Sequence, residues 1–418
     1  MKPQTIARYD SPAHFEPLMP ADHVAGPLLE KASDLTRAAV AMSSSSGALA
    51  QQEWRGLLRA MNSHYSNRIE GEHTRPSEIE RALQQDFSDN ADLARRQRLA
   101  VAHVHAEQVC ESTLDALAGK ADGVSPIRWL YSPEALLWMH GQLFAELPQA
   151  DRQLADGSMM TAGAWRERQV AVGRHEAPVS TELPRFVAAW QDRYSQVRQG
   201  EASIVALAAA HHRLAWMHPF LDGNGRVARL HTHLGLHAMG LTRGLWSPLR
   251  GFARSVDTYR ALLQAADEAR QGDLDGRGNL TQAGLMAWIS YVIEVCIDQA
   301  TFMATQLNIT GMKDRIAAAL SFEEETVKSG VRKEALMLLH YLFSTQAALP
   351  RGDAKALLGM KDRLATSTLS ALLKRGFLAT DSAYGLVRFA VPRHALRFYF
   401  PALWPEAEID TELLNGDA

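Results

Sequence analysis

The residues best suited to chemistry lie in one stretch, His218-Pro-Phe-Leu-Asp-Gly-Asn-Gly-Arg-Val-Ala-Arg229. His218 carries the side chain in it whose ordinary pKa, about 6.5, suits a general base. Gly223, Asn224 and Gly225 stand just before a helical run that resumes at Arg226. A first helical turn leaves its backbone N–H groups without carbonyl partners, and the helix dipole adds positive potential there, so the junction is a ready anion site. Glycines let the backbone close on the anion. Arg226 and Arg229, three apart, project from one side of that turn with planar forks that suit phosphate oxygens. Asp222 would be repelled by such an anion unless a cation such as Mg²⁺ bridges the two. The same helix N-terminus disfavours imidazolium and leaves His218 able to accept a proton. Taken singly, each feature has a bland explanation. Gly-Asn-Gly is commonly a turn, a histidine after an apolar helix is commonly a core residue, and a calcium loop fails because Arg226 and Val227 stand where a ligand and a glycine are needed. Together, twelve contiguous positions, most of them specified, point to phosphate chemistry.

The surrounding pattern must position this loop. Residues 203–217 read as an apolar helix that delivers His218, and 226–239 as the helix that receives the anion, stopped at Gly240. Residues 157–178 change character: Trp165, Val170 and Val172 alternate with polar residues between glycines, which predicts a hairpin or extended flap. Ser180 and Thr181 offer an N-cap for a helix running to about residue 200. Helices are predicted at 51–69, 76–85, 91–117 and 133–146 upstream, and at 256–270 and 281–309 downstream. Residues 1–26, with four prolines, read as an irregular docked arm, and Ser43–Ser46 with Gly47 as a polar break. Beyond Gly330, helices at 332–343, 351–358 and 362–374 precede an alternating segment, 376–391, turned at Tyr384-Gly385. Three helices followed by a hairpin is winged-helix-like. The fold class is mostly α, in three parts: 1–125, a helical bundle core at 126–310, and 330–400.

Composition sets the frame. The 418 residues are 46% hydrophobic and 22% charged, enough to bury a core without staples, which excludes disordered and disulfide-scaffold classes. Net charge is −3, so no global basic field advertises nucleic acid. Cys110 and Cys296 have no metal-ligand spacing. With no signal-type apolar region and no run of about 18 apolar residues, a cytoplasmic chain without a membrane span is expected.

The segment HPFLDGNGRVAR resembles the signature of Fic-domain proteins, most of which transfer AMP from ATP to a hydroxyl side chain of a target protein. The resemblance covers roughly residues 130–300 and implies a Fic-type bundle with a short β-hairpin flap. It casts His218 as the base for a Ser, Thr or Tyr hydroxyl and Asp222 as the Mg²⁺ ligand. Gly223, Asn224 and Gly225 become the anion hole, Arg226 and Arg229 the contacts to the β- and γ-phosphates, and Phe220 an anchor for the loop. Residues 163–173, including Gln169, Val170, Ala171 and Val172, are similar to the flap that docks the target by strand addition. Tyr259 is a candidate for the adenine pocket. Upstream, Ser66-Asn-Arg-Ile-Glu70-Gly71 resembles the family's inhibitory motif. Ser66 and Glu70, four apart, share a helix face, and Glu70 paired with Arg229 would take the place of the γ-phosphate. The implied ligands are ATP and Mg²⁺. The implied partners are a target protein, the chain itself as acceptor, a second copy as a homodimer, and DNA or a protein on the C-terminal part. The alternatives are removal of AMP by the same site, and a DNA-binding regulator that uses the Fic core as a nucleotide sensor.

His231, His233 and His237 read as a packed or solvated helix face, because no carboxylate or thiolate accompanies them at metal-ligand spacing in sequence. Lys361, Arg363, Lys374, Arg375 and Arg388 would supply the phosphate contacts of a DNA-binding module, with Thr366, Ser367 and Ser370 near bases.

Overall fold

A computed structural model describes residues 9–43, 48–119, 125–173, 175–345 and 347–402. Apart from Ser43, the expected break at Ser43–Gly47 lies outside them. The arm holds two short 3₁₀ turns, Pro12–Phe15 and Asp22–Val24. There follow α1 (Gly26–Ser43), α2 (Ala48–Ile69), α3 (Pro76–Leu83), α4 (Ala91–Ala118), α5 (Pro126–Leu130) and α6 (Pro133–Phe144). The flap contributes β1 (Ala171–Val172) and β2 (His175–Glu176). Then come α7 (Leu183–Ser195), α8 (Glu201–Met217), α9 (Asn224–Ala238), α10 (Leu249–Arg254), α11 (Val256–Asp267) and α12 (Gln282–Gln306). The C-terminal part runs α13 (Ile309–Phe322), α14 (Leu336–Thr345), β3 (Ala348–Leu349), α15 (Arg351–Leu357), α16 (Asp362–Lys374), β4 (Leu378–Ala379), β5 (Val387–Phe389) and α17 (Leu396–Tyr399).

Helix α8 is the hub. Its alanine run, Ala206 and Ala208–Ala210 among it, is buried on every side and lets α1, α7, α9 and α12 approach. The indoles of Trp190 on α7 and Trp288 on α12 donate to its carbonyls at Ala210 and Ala208, at 3.1 and 2.7 Å. A Cβ on Gly235 of α9 would stand 2.4 Å from Leu207, so α8 and α9 cross too closely for any larger residue. The arm is held by buried Arg213 of α8, whose guanidinium donates to the Pro17 carbonyl at 3.1 and 2.8 Å, and by the Tyr194 hydroxyl on the Leu18 carbonyl at 2.6 Å.

Several expectations shift. Ser180 and Thr181 do not cap α7: Ser180–Glu182 form a 3₁₀ turn, and the Ser180 hydroxyl donates to the Glu167 carbonyl instead, so α7 begins at Leu183 and ends at Ser195. Helices α1, α5, α10, α13 and α17 were not foreseen. The apolar side of α13, Met312, Ile316, Ala319 and Leu320, is buried, and the helix packs on α14 and α17. Although it holds no unbroken run of about 18 apolar residues, α12 is long and apolar enough to cross a membrane by length and composition; here Leu285, Trp288, Ile289, Val292 and Ile293 are buried in the bundle.

The hairpin after α16 gains a third strand, in the order β3-β5-β4, with Ala348 opposite Arg388 and Leu378 opposite Phe389. Two of the five cations expected to face a nucleic acid are spent on carboxylates. Arg375 grips buried Glu323 through both Nε and Nη2, at 2.9 and 2.6 Å, and Arg388 donates to Asp381 at 2.7 Å.

Candidate functional site

The loop between α8 and α9 is built by a few local choices. His218 ends α8 in the left-handed conformation, φ 47° and ψ 60°. Its imidazole is partly buried, and burial first, with Arg166 and His175 adding to it, lowers its pKa to about 4. The helix N-terminus was expected to be the cause; desolvation is the larger one. A ring N–H of His218 donates to the Ala215 carbonyl, which leaves the other nitrogen with a free lone pair.

Phe220 is fully buried, and the Asn224 side chain bonds both its N–H and its carbonyl, at 2.9 and 2.8 Å. Asn224 is thus the brace of the loop, and what it offers a ligand is its backbone. Gly223 precedes α9 at φ 81°, where a Cβ would fall 2.4 Å from Phe144. The first hydrogen bond of α9 runs from Val227 N–H to the Gly223 carbonyl, so the N–H groups of Asn224, Gly225 and Arg226 lie ahead of the ladder. Helix α9 thus starts two residues earlier than expected, with Asn224 and Gly225 inside its first turn.

The two arginines are held differently. Arg226 donates to Asp222 Oδ2 at 3.1 Å, and its guanidinium lies 4.8 Å from the Phe144 ring centroid. Arg229, 1% exposed, donates from Nε to Ser66 Oγ at 3.1 Å and from Nη2 to the Ser66 carbonyl at 3.0 Å and to Glu70 Oε1 at 2.6 Å. Ser66 and Glu70 therefore meet one guanidinium across 163 and 159 residues of chain. Burial works against the charge of Glu70, but Arg229, Arg226 and Arg260 outweigh it and hold the carboxyl below its ordinary range. A Cβ on Gly225 would meet Glu70 Oε1 at 2.4 Å, so the carboxylate rests against the backbone of the first turn of α9.

Glu70 owes its place to the end of α2. Gly71, at φ 84°, lets its own N–H reach the Arg68 carbonyl and that of Glu72 reach the Asn67 carbonyl, both at 3.0 Å. This is a Schellman close, which needs glycine just past the helix. Arg260 of α11 also donates to the Ile69 carbonyl, at 2.5 Å. Tyr259 does not present its ring to a ligand. It is 3% exposed, bonds the Arg229 side chain, and its hydroxyl lies 2.9 Å from His211 Nε2, so it braces Arg229 from behind.

In the flap, Ala171 pairs with Glu176 and Val172 with His175. The Gln169 side chain donates to the Ala177 carbonyl, and the Val170 carbonyl accepts from Ala177 N–H at 3.1 Å. Strand β1 is exposed, Val172 by 49%, and the sheet has two strands, so its outer edge is unpaired among the described residues.

Sequence reasoning missed two residues that join these parts. Buried Arg166 donates to the carbonyls of His218 at 2.7 Å, Arg168 at 3.0 Å, and Pro178, tying the flap to the loop. His140 Nδ1 accepts from Gly163 N–H at 2.8 Å, so Nε2 carries the proton that it donates to the Asp222 carbonyl at 3.2 Å. His140 also stacks on Phe220, 4.0 Å between centroids. His140 sits in no motif, and Arg166 stands inside the flap segment 163–173 as one of two arginines between Trp165 and Gln169.

Asp222 suits a small divalent cation. Its carboxylate is 47% exposed beside the free N–H groups, and Mg²⁺ typically takes one or two carboxylates and completes its shell with phosphates and water.

Residues 130–236 match the model of the Fic/DOC family. The chain is 36% identical over 115 residues to a protein adenylyltransferase Fic of Nematostella vectensis, covering 27% of this chain and 26% of that protein. It is 35% identical over 80 residues to a protein of the same name from Drosophila willistoni, covering 19% and 16%. The matched part thus spans about a quarter or less of these relatives. Among solved structures, a Fic family protein from Desulfovibrio desulfuricans G20 aligns over 86% of this chain and 96% of its own, at 16% identity and a TM-score of 0.49. The chain carries a Fic domain, at residues 130–236.

Proposed function

We propose that this chain is an autoinhibited protein adenylyltransferase. A target Ser, Thr or Tyr hydroxyl attacks the α-phosphorus of ATP, the new oxygen–phosphorus bond forms, and the bond to the β-phosphate oxygen breaks. The proton passes to the His218 nitrogen not engaged with Ala215. It leaves late, because an aliphatic hydroxyl is too weak an acid to ionise first. Pyrophosphate departs with its charge held by the first-turn N–H groups of α9 and by Arg226. Mg²⁺ on Asp222 would neutralise phosphate charge. The open edge of β1 would align the target segment by adding a strand, and the chain's own hydroxyls are acceptors too.

The observation that carries this reading is the carboxylate of Glu70 on Arg229, against Gly225. An anion built into the chain already occupies the anion site, where it would exclude a γ-phosphate and misplace the α-phosphorus. The test is the intact mass of the Glu70→Gly chain after incubation with ATP and Mg²⁺, with and without a protein mixture. Addition of one AMP moiety, on the chain or on a second protein, is expected. Bound but uncleaved nucleotide would overturn the reading in favour of a sensor.

A further inference from the structure

Helix α9 carries a second constellation that the reaction above does not use. One turn beyond Arg229, His233 Nε2 lies 3.0 Å from Glu111 Oε1 and 3.4 Å from Glu107 Oε1. The carboxylates missing from the local sequence come from α4, at i and i+4, and the next pair, His237 with Asp115 at 2.8 Å, repeats the match. Ligand atoms of Glu107, Glu111 and His233 all fall within 4.8 Å of one another, and none of the three residues is more than 1% exposed. One turn before Glu107, buried His103 places Nδ1 3.9 Å from Glu107 Oε2. Neither ring nitrogen of His103 has a hydrogen-bond partner among the described residues, nor has Glu107 Oε2. Buried polar atoms are nearly always paired, so a cluster of unpaired ones aimed at a carboxylate points to a ligand between them.

We propose that Glu107, Glu111 and His233 form a site for one divalent first-row transition-metal ion of the zinc class, with the unpaired imidazole of His103 beside Glu107 Oε2. Such an ion holds nitrogen and oxygen ligands at about 2.0–2.2 Å, which sets neighbouring ligand atoms roughly 3–3.6 Å apart; the distances from His233 fall in that range. Imidazoles with carboxylates select Zn²⁺, Mn²⁺ or Fe²⁺ over Mg²⁺ and Ca²⁺, which take oxygens. The supporting bonds come from α2. Arg59 grips Glu111 Oε2 from Nε and Nη2, at 2.9 and 2.6 Å, and Asn62 donates to Glu107 Oε1 at 2.7 Å. Glu111 is thereby oriented through Oε2 with Oε1 left toward His233, whereas Glu107 Oε1 faces both Asn62 and His233 and its Oε2 is unpaired among the described residues.

The test uses the full chain, expressed with added Zn²⁺, dialysed into Mg²⁺ buffer and assayed for metal by plasma mass spectrometry. Refolding with Co²⁺ provides a d–d absorption spectrum as a second readout. One zinc per chain and a nitrogen/oxygen-type cobalt spectrum are expected. Glu107→Gln should lose both, and Arg59→Gln, which removes only an orienting group, should weaken zinc binding about ten- to a hundredfold. A wild-type chain without stoichiometric zinc, either as purified or after refolding with it, overturns the proposal, whatever the variants do. So does undiminished zinc in a folded Glu107→Gln chain.

Discussion

Helix α9 meets carboxylates at two depths, and the contrast separates what the molecule can exchange from what it must keep. At the front, Glu70 reaches Arg229 from the end of α2 with 34% of its side chain still accessible, and Asp222 reaches Arg226 with 47% accessible. One turn behind, Glu107 and Glu111 meet His233 with essentially no access at all. A charge at a solvent-reached edge can be swapped for a ligand of the same sign at little cost, because water and the ligand replace what is lost. A charge sealed among helices cannot: removing one partner strands the other in a low dielectric. The front pair suits control of a site, and the rear cluster suits fixation of the helices that frame it.

The largest expected effect is at the front and leaves the fold alone. His218→Ala should lower AMP transfer by about 10²–10⁴-fold, the usual worth of a general base, with an unchanged melting temperature. The mirror image lies behind. Glu107→Ala should cost about 3–5 kcal/mol of stability by leaving His233 and Asn62 opposite a hole, read as a fall in denaturation midpoint. Equal stability in that variant would erase the distinction between the two depths. Third in size, Glu70→Gly should raise transfer about ten- to a hundredfold, matching the 1.5–3 kcal/mol of a hydrogen bond to a charged group. An unchanged rate would mean that Glu70 only decorates the front.

The same two depths explain what the sequence could reveal. The front was readable because its parts are local: His218 to Arg229 are contiguous, and Ser66 to Gly71 carry both the side chains and the glycine that the end of α2 requires. The helices around it followed from apolar spacing, with ends displaced where a 3₁₀ turn replaced a cap, as at Ser180. The rear was not readable. His233 and Glu111 are 122 positions apart, and their meeting depends on the packing of α4 against α9. Tyr259 falls between these cases: it was visible as a residue near the site, but its bracing of Arg229 depends on tertiary neighbours, as does the unforeseen hold of Arg166 on the loop.

The smallest effect sharpens the comparison through pH. His218 at the front and His231 at the rear are both lowered to about 4, by burial first. Both pKa values are lower in the folded chain than in the unfolded one. Between about pH 6.5 and 4 the unfolded state therefore binds more protons, and stability falls as pH falls, by up to about 1.4 kcal/mol per unit for each such group. His231 is 0% exposed, so its titration is read in stability alone. His218 is read in rate as well. An imidazole of ordinary pKa, about 6.5, would be some nine-tenths protonated at pH 5.5 and cost about tenfold in activity. With His218 near 4, the Glu70→Gly chain should lose less than about twofold in transfer rate between pH 7.5 and 5.5, while its melting temperature drops. A tenfold loss over that interval in folded protein would show an imidazole in contact with bulk water, and the front of α9 would then lack the desolvated base that proton removal there requires.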